Sequence, residues 1–354
     1  MKSPFIYIRG LRHVDHTVFA VDEGQKYYYD QQFKRDIAYS SGQQVKRSII
    51  SELNLPFAAI TFNWVIDKKG KAEMKEPHSP CDPTYTDQLL GGYMKAERGK
   101  LTVKRRSPLS ISAMRPLHPL LGGLERQKEN VVFDRSEKPA QHKVLVSTVN
   151  EKGDRVELSD DELEEWLVSN ERSLGPKYFN KNGMTRTSGL FVYDIAIDLR
   201  TLFCVSANKL EPELFPEIEK KLKDENWIET ENIFGKCYLC PKEKREEIIE
   251  NLASALVNWR ITSNQSRTFS PMETLALAIS DNANQITYAI RAELQDTERP
   301  SASPVIDETA RANMFVTPVA NSYIKNAVGS ANALEEAEKY LIEKISEFDF
   351  ENQL

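Results

Sequence analysis

The sequence predicts an α+β fold, and three observations carry that prediction. A short apolar run, Pro4-Phe5-Ile6-Tyr7-Ile8, precedes a helix-period stripe at Val45, Ile49, Ile50 and Leu53. The segment from Thr187 to Leu199 is apolar on both faces for most of its length, as a central strand should be. A second helical stripe, Ile249, Leu252, Leu256 and Trp259, then returns to a strand at Glu273 to Ser280.

The elements follow in order. Arg9 and Arg12 come directly after the first strand, and residues 13–36 read as a loop or hairpin holding His13, Asp15, His16, Asp22, Glu23, Asp30 and three consecutive tyrosines, Tyr27 to Tyr29. Ser41 with Gln44 three residues on has capping-box spacing and opens a helix over 41–54. Its first turn gathers free amides, hydroxyls, an amide side chain, Lys46 and Arg47, which makes it a natural phosphate site. Phe57 to Val65 reads as a strand, Gln88 to Lys95 as a short helix, and Leu109, Ile111 and Ala113 alternate with serines as a strand with one wet face. Lys100, Lys104, Arg105 and Arg106 precede that strand as a second basic patch.

Lys143 to Val149 reads as a strand, and Ser159 caps an acidic helix to about Ser169 with Leu163, Trp166 and Leu167 turned inward. Residues 201–240 form a charged excursion with a helix at 216–223 and a hairpin after Trp227, whereas 299–304 reads as a loop. Asn332 to about Phe348 is the last helix, with Leu334, Ala337, Leu341 and Ile345 on one face. Strand, helix, two strands, helix, strand is the βαββαβ order. It gives a four-stranded antiparallel sheet backed by two helices, the ferredoxin-like, RRM-type arrangement.

Composition narrows the function classes. The 354 residues carry a net charge of −6, yet residues 1–150 hold 24 Lys+Arg against 16 Asp+Glu. A basic first part joined to an acidic remainder can hold a polyanion while offering complementary charge to another copy. No run approaches the roughly 20 apolar residues of a membrane span, and the N-terminus becomes charged too soon for a signal peptide, so a cytoplasmic location is expected. Four cysteines are too few for a disulfide scaffold. Cys237 and Cys240 have the spacing of half a zinc site without a second pair, and His13, Asp15 and His16 lack a helical ligand pattern. Neither group makes a metal site on spacing alone.

Three separated stretches, Tyr39-Ser40-Ser41-Gly42-Gln43-Gln44-Val45-Lys46-Arg47, Lys104-Arg105-Arg106-Ser107 and Gly189-Leu190-Phe191-Val192-Tyr193-Asp194-Ile195, resemble a known family. It is the crRNA-binding backbone subunit of type I CRISPR surveillance (Cascade) complexes, the Cas-seven branch of the RAMP superfamily. The first stretch is similar to the family's Ser-x-Gln-x-x-Lys-Arg helix start, and order and spacing match across roughly residues 1–280.

The resemblance implies an RRM-like palm (1–55, 186–200 and 241–354), a finger insertion at 56–185 and a thumb insertion at 201–240. It implies copies assembling head to tail in a helical filament along crRNA in antiviral defence, with other Cascade subunits and a target DNA strand as partners, and no cofactor. By the same resemblance Ser41, Gln43, Lys46 and Arg47 contact guide phosphates, as do Lys104, Arg105 and Arg106, and then Arg9 and Arg12. The bottom-up reading agrees in kind, since a strand gripped through phosphates needs cations, helix N-termini and small polar groups. The chain departs from the pattern in lacking an RRM aromatic signature and a glycine-rich loop near its C-terminus, where Gly329 is the only glycine after residue 282.

Two alternatives belong to other classes. One is a type III-like backbone subunit that cuts target RNA through a loop aspartate, for which Asp15, Asp22 and Asp30 lie in the right loop. The other is a generic single-stranded RNA-binding protein acting as a monomer.

Overall fold

The computed structural model describes residues 3–19, 25–62, 64–66, 72–74, 77–96, 99, 101–126, 131–132, 146–150, 153–172, 178–179, 185–261 and 269–354. The chain forms two compact units, residues 1–125 with 186–354, and residues 126–185. Helix and strand are mixed throughout the first, as the sequence predicts.

In the first unit, β1 (Phe5–Thr17) is followed by a hairpin of β2 (Tyr27–Asp30) and β3 (Arg35–Ala38), then by α1 (Gly42–Ser51). Later come β4 (Leu109–Ile111), β5 (Thr185–Asp198), α2 (Lys242–Asn258), β6 (Thr274–Ser280), β7 (Asn313–Val316) and α3 (Ala333–Ser346). The main sheet is ordered Gly122–Arg126, β5, β1, β6, β7, with β4 and Arg115–Pro116 also pairing with β5. Its registers are antiparallel, with Ile8 opposite Ile195 on one side and Ile279 on the other.

Strand alternation loads both faces of this sheet with apolar side chains. Ile6, Ile8, Phe191, Ile195, Ile197 and Ile279 pack against Val45 and Ile49 of α1, Leu252 and Leu256 of α2, and Leu341 and Ile345 of α3. On the opposite face Leu11, Leu190, Val192 and Ala276 meet Ile286, Ala289, Ile290 and Ile324. Both faces are covered, so β1 and β5 have no wet face over their middle lengths.

The structure differs from the sequence reading at several elements. β1 runs on to Thr17, because Leu11 and Val14 are buried and hold the strand in the sheet past the charged residues that suggested a loop. The helix expected at 88–95 ends at Gly91; Gly92 takes φ +75°, and Tyr93–Lys95 continues as a strand paired with Val103–Arg105. Residues 57–60 are irregular; of the strand expected at 57–65, Asn63 lies outside the described residues, and Trp64 and Val65 belong to the strand Trp64–Ile66. Residues 299–304 read as a loop, but Ser301–Ile306 is a strand paired with Ile290–Gln295. That pair is a two-stranded ribbon, and Pro304 is tolerated there because an edge strand need not donate on its outer side.

Residues 201–240 are packed into the first unit. Cys204–Ser206, Gly235–Leu239 and Ile228–Asn232 form a three-stranded sheet, and with the Pro216–Asp224 helix they add Leu222, Trp227, Tyr238 and Leu239 to the main apolar cluster.

The second unit holds the Asp160–Ser169 helix and two short strand pairs. Ser159 and Glu162 complete a capping box there. None of the helix's side chains is buried, however, and Trp166 is 48% exposed rather than turned inward. Residues 143–145 of the strand read at 143–149 lie outside the described residues; Ser147–Val149 forms. Among the described residues no helix is long and apolar enough to cross a membrane.

Candidate nucleic-acid interface

The entrance of α1 is built as its sequence suggests, with one change. Ser41 is extended (φ −65°, ψ 150°), and its Oγ accepts the Gln44 amide at 3.3 Å. The reciprocal half of the capping box is missing. Gln44 instead accepts from Ser40 Oγ at 3.0 Å and donates its side-chain amide to the Phe19 carbonyl, which ties the helix to the end of β1. Ser40 and Met114 exchange backbone hydrogen bonds at 2.9 and 3.0 Å, so the entrance is also fixed to the segment after β4. Gly42 is required by this approach, because a Cβ there would lie 2.5 Å from the Ile111 carbonyl oxygen.

Burial of Val45 and Ile49 then sets the helix's rotation. Gln43 and Arg47 are exposed, Ser41 and Lys46 are half-buried, and the first turn holds no acidic residue. Partial burial holds the Lys46 ammonium below the ordinary lysine pKa. Among the described residues the amides of Gly42 and Gln43 have no acceptor. Such amides at a helix start carry the positive end of its dipole. Ser41, Gln43, Lys46 and Arg47 therefore lie together on one accessible, positive helix end.

Lys104 and Arg106 are also exposed, but they line a different place. With Lys236, Phe234, Asn208 and Glu211 they border a cavity of about 900 Å³ beside the 201–240 segment. Lys236 and Phe234 were not singled out by sequence reading. The signal available was Ile233-Phe234, an apolar pair at the tip of a tight turn where apolar residues are unusual, and Phe234 is 59% exposed.

The three remaining arginines are turned into the protein. Arg9 makes a bidentate pair with Asp194 (2.6 and 3.1 Å) and donates to the Ile290 carbonyl at 3.0 Å. Arg12 is fully buried, its guanidinium 4.0 Å from the Trp259 ring centroid and 5.3 Å from that of Tyr193. It donates to the carbonyls of Trp259 (2.7 Å) and Val257 (3.4 Å), and burial lowers its pKa. Room for this stack comes from Gly10, where a Cβ would meet the Tyr193 ring at 2.3 Å. Arg105, 3% exposed, donates to the carbonyls of Cys204 (2.8 Å), Thr201 (2.9 Å) and Leu89 (3.3 Å) and reaches Glu213 at 3.2 Å. In this conformation the terminal guanidinium nitrogens of Arg12 are directed to backbone carbonyls while its Nε is buried without a partner, and the donors of Arg105 reach backbone carbonyls and Glu213, away from solvent.

The residues weighed as metal ligands are placed as follows. His13 contacts Glu273 at 3.1 Å and stacks on Tyr323. Cys237 and Cys240 are buried free thiols, and burial pushes the Cys240 thiol up to about 12. Among the described residues no three His, Cys, Asp or Glu side chains converge as metal ligands. Asp22 lies outside the described residues.

No protein-family model matches the sequence, and no curated protein matches it. Two similar solved structures are chains of a "CRISPR RNA-guided surveillance complex" and of a "CRISPR RNA-guided surveillance complex, pre-nicking". The first is 9% identical, covers 97% of this chain and 84% of that one, and has a TM-score of 0.36. The second is 10% identical, covers 97% and 89%, and has a TM-score of 0.40. Likeness at that level carries no argument about function, which rests on the residues themselves.

Proposed function

We propose that the chain is a non-catalytic backbone subunit of a type I CRISPR surveillance complex that holds crRNA by its phosphates and presents it for pairing with target DNA. The α1 entrance carries the reading. Gly42 and Gln43 offer amides, Ser41 and Gln43 small polar side chains, and Lys46 and Arg47 charge, at a helix start with no acidic residue to repel a phosphate. Contacts of this kind position a strand without reading its bases, as suits a protein whose specificity comes from guide pairing.

The sheet supports the palm assignment. Taking β1, β4, β5 and β6 as the four strands, with α1 and α2 as the two helices on one face, the order β6-β1-β5-β4 is the one a ferredoxin-like unit requires. The insertion read at 56–185 then gives β4 to the palm, while the unit 126–185 belongs to the finger and 201–240 serves as the thumb. Lys104 and Arg106 continue the phosphate path in this reading, whereas Arg9, Arg12 and Arg105 brace the palm.

The test is RNA binding by the purified chain across a salt series, with Lys46→Ala/Arg47→Ala as the variant. Affinity should fall uniformly across RNA sequences, and the slope of log affinity against log salt should shrink by about 1.4, the value for two phosphate contacts on a single strand. An unchanged slope removes the proposed grip. Copies bound in fixed stoichiometry on one RNA support the filament, and binding only as a monomer favours a generic RNA-binding protein. Cuts in matched RNA with a divalent metal, abolished by Asp15→Ala or Asp30→Ala, overturn the non-catalytic assignment.

A further inference from the structure

The hairpin that leads into α1 carries three exposed tyrosines that the phosphate grip does not use. Tyr27, Tyr28 and Tyr29 are 51%, 42% and 51% exposed. Alternation puts Tyr27 and Tyr29 on one face of β2 and Tyr28 on the other, where its ring lies edge-on to Tyr39 at 5.9 Å. Among the described residues neither the Tyr27 nor the Tyr29 ring touches another aromatic ring.

Their spacing is informative. Side chains two residues apart on a strand stand ~6.8 Å from one another. That is twice the spacing of about 3.4 Å between stacked bases, so the gap takes one flat aromatic ring with contact on both sides. The frame around them is rigid. Ile37 and Ala38 of β3 are buried, Tyr27 to Asp30 pairs with Arg35 to Ala38, and the Tyr39 amide donates to the Lys26 carbonyl at 3.0 Å. Tyr39 is two residues before the Ser41 cap, so the hairpin leads directly into the helix entrance. Lys26 and Lys34 are exposed at the two ends of the hairpin, and half-buried Asp36 stands opposite Tyr29 on its face.

We infer that Tyr27 and Tyr29 clamp a single unpaired nucleobase of the same strand whose phosphates lie at α1. This rests on the RNA-holding reading above and adds to it a contact with the base. Stacking between two tyrosines accepts any base, because every base offers a π face, so the clamp adds affinity without sequence choice.

The experiment uses the full chain and single-stranded RNA oligonucleotides carrying 2-aminopurine at successive positions, beside the same oligonucleotides with abasic sites. Tyr27→Ala/Tyr29→Ala should weaken binding of base-bearing RNA roughly 5- to 100-fold. The same variant should abolish the quenching of one 2-aminopurine position and leave both the salt slope and the affinity for fully abasic RNA unchanged. Tyr27→Phe/Tyr29→Phe, which keeps both rings, should bind as the unsubstituted chain does. Equal losses on abasic and base-bearing RNA would overturn the inference, since the tyrosines would then only support the helix entrance. Unchanged RNA binding with lost self-association would also overturn it and assign the face to a protein contact. If the Tyr pair has no effect while Lys46→Ala/Arg47→Ala still weakens binding, the clamp fails alone; if the unsubstituted chain binds no RNA, clamp and grip fail together.

Discussion

Lys104-Arg105-Arg106 and the α1 entrance place the same kind of residue in opposite circumstances. In the first, strand alternation sends the middle cation inward to four acceptors while its neighbours face solvent at the cavity rim. In the second, the helical period keeps Lys46 and Arg47 off the buried stripe of Val45 and Ile49, so both remain at the surface. Arg12 is the extreme of the inward class, with no exposed surface and a π stack for company. The contrast teaches that a basic cluster is not one functional unit. Each cation supports either the fold or a ligand according to the face it is assigned.

That division can be broken most sharply at Arg12. Arg12→Ala empties the space the guanidinium fills against the Trp259 and Tyr193 rings and removes two hydrogen bonds, and should lower stability by about 3 kcal/mol or more in chemical denaturation. Among molecules that remain folded, the salt slope for RNA should be unchanged. A reduced slope without loss of stability would move Arg12 to the ligand class.

Arg105→Ala comes next. It removes the guanidinium from the Cys204, Thr201 and Leu89 carbonyls and from Glu213, which keeps the Ser206 amide at 2.8 Å, and a loss of about 2–4 kcal/mol is expected. Lys104→Ala and Arg106→Ala, one residue to either side, should stay within about 0.5 kcal/mol of the unsubstituted chain and each reduce the salt slope by about 0.7. Three equal stabilities would erase the distinction.

The smallest effect concerns pH. Burial lowers the Lys46 pKa in the free protein, and an incoming phosphate favours the ammonium, so binding takes up a proton once Lys46 begins to lose its own. RNA affinity should therefore decline on the alkaline side, from a pH below the ordinary lysine value of 10.5, and Lys46→Arg should flatten that decline. A decline identical in the arginine variant would place the titrating group elsewhere.

Much of the architecture was legible wherever a pattern was long and local. α1, α2 and α3 follow from periodicity, β5 from a long run apolar on both faces, and the Ser41 and Ser159 caps from a residue type at a fixed offset. Less was legible where distant segments decide. Ser301–Ile306 is a strand because Ile290–Gln295 pairs with it despite Pro304, and β1 extends to Thr17 because two other strands receive it. The exposure of the Asp160–Ser169 helix ran against its stripe, since an apolar stripe proposes burial but needs a partner to achieve it.

By itself the sequence determined that a capped, glycine-containing helix start with two cations follows the first strand, because capping and rotation depend on residues within one or two turns. Which arginines would be free to meet a ligand was decided only in the tertiary structure. Arg12 meets Trp259 and Arg105 meets Cys204 across long stretches of chain, and the direction of a strand side chain has no meaning until its sheet neighbours define an inside. Sequence supplies the alternation; packing supplies its sign.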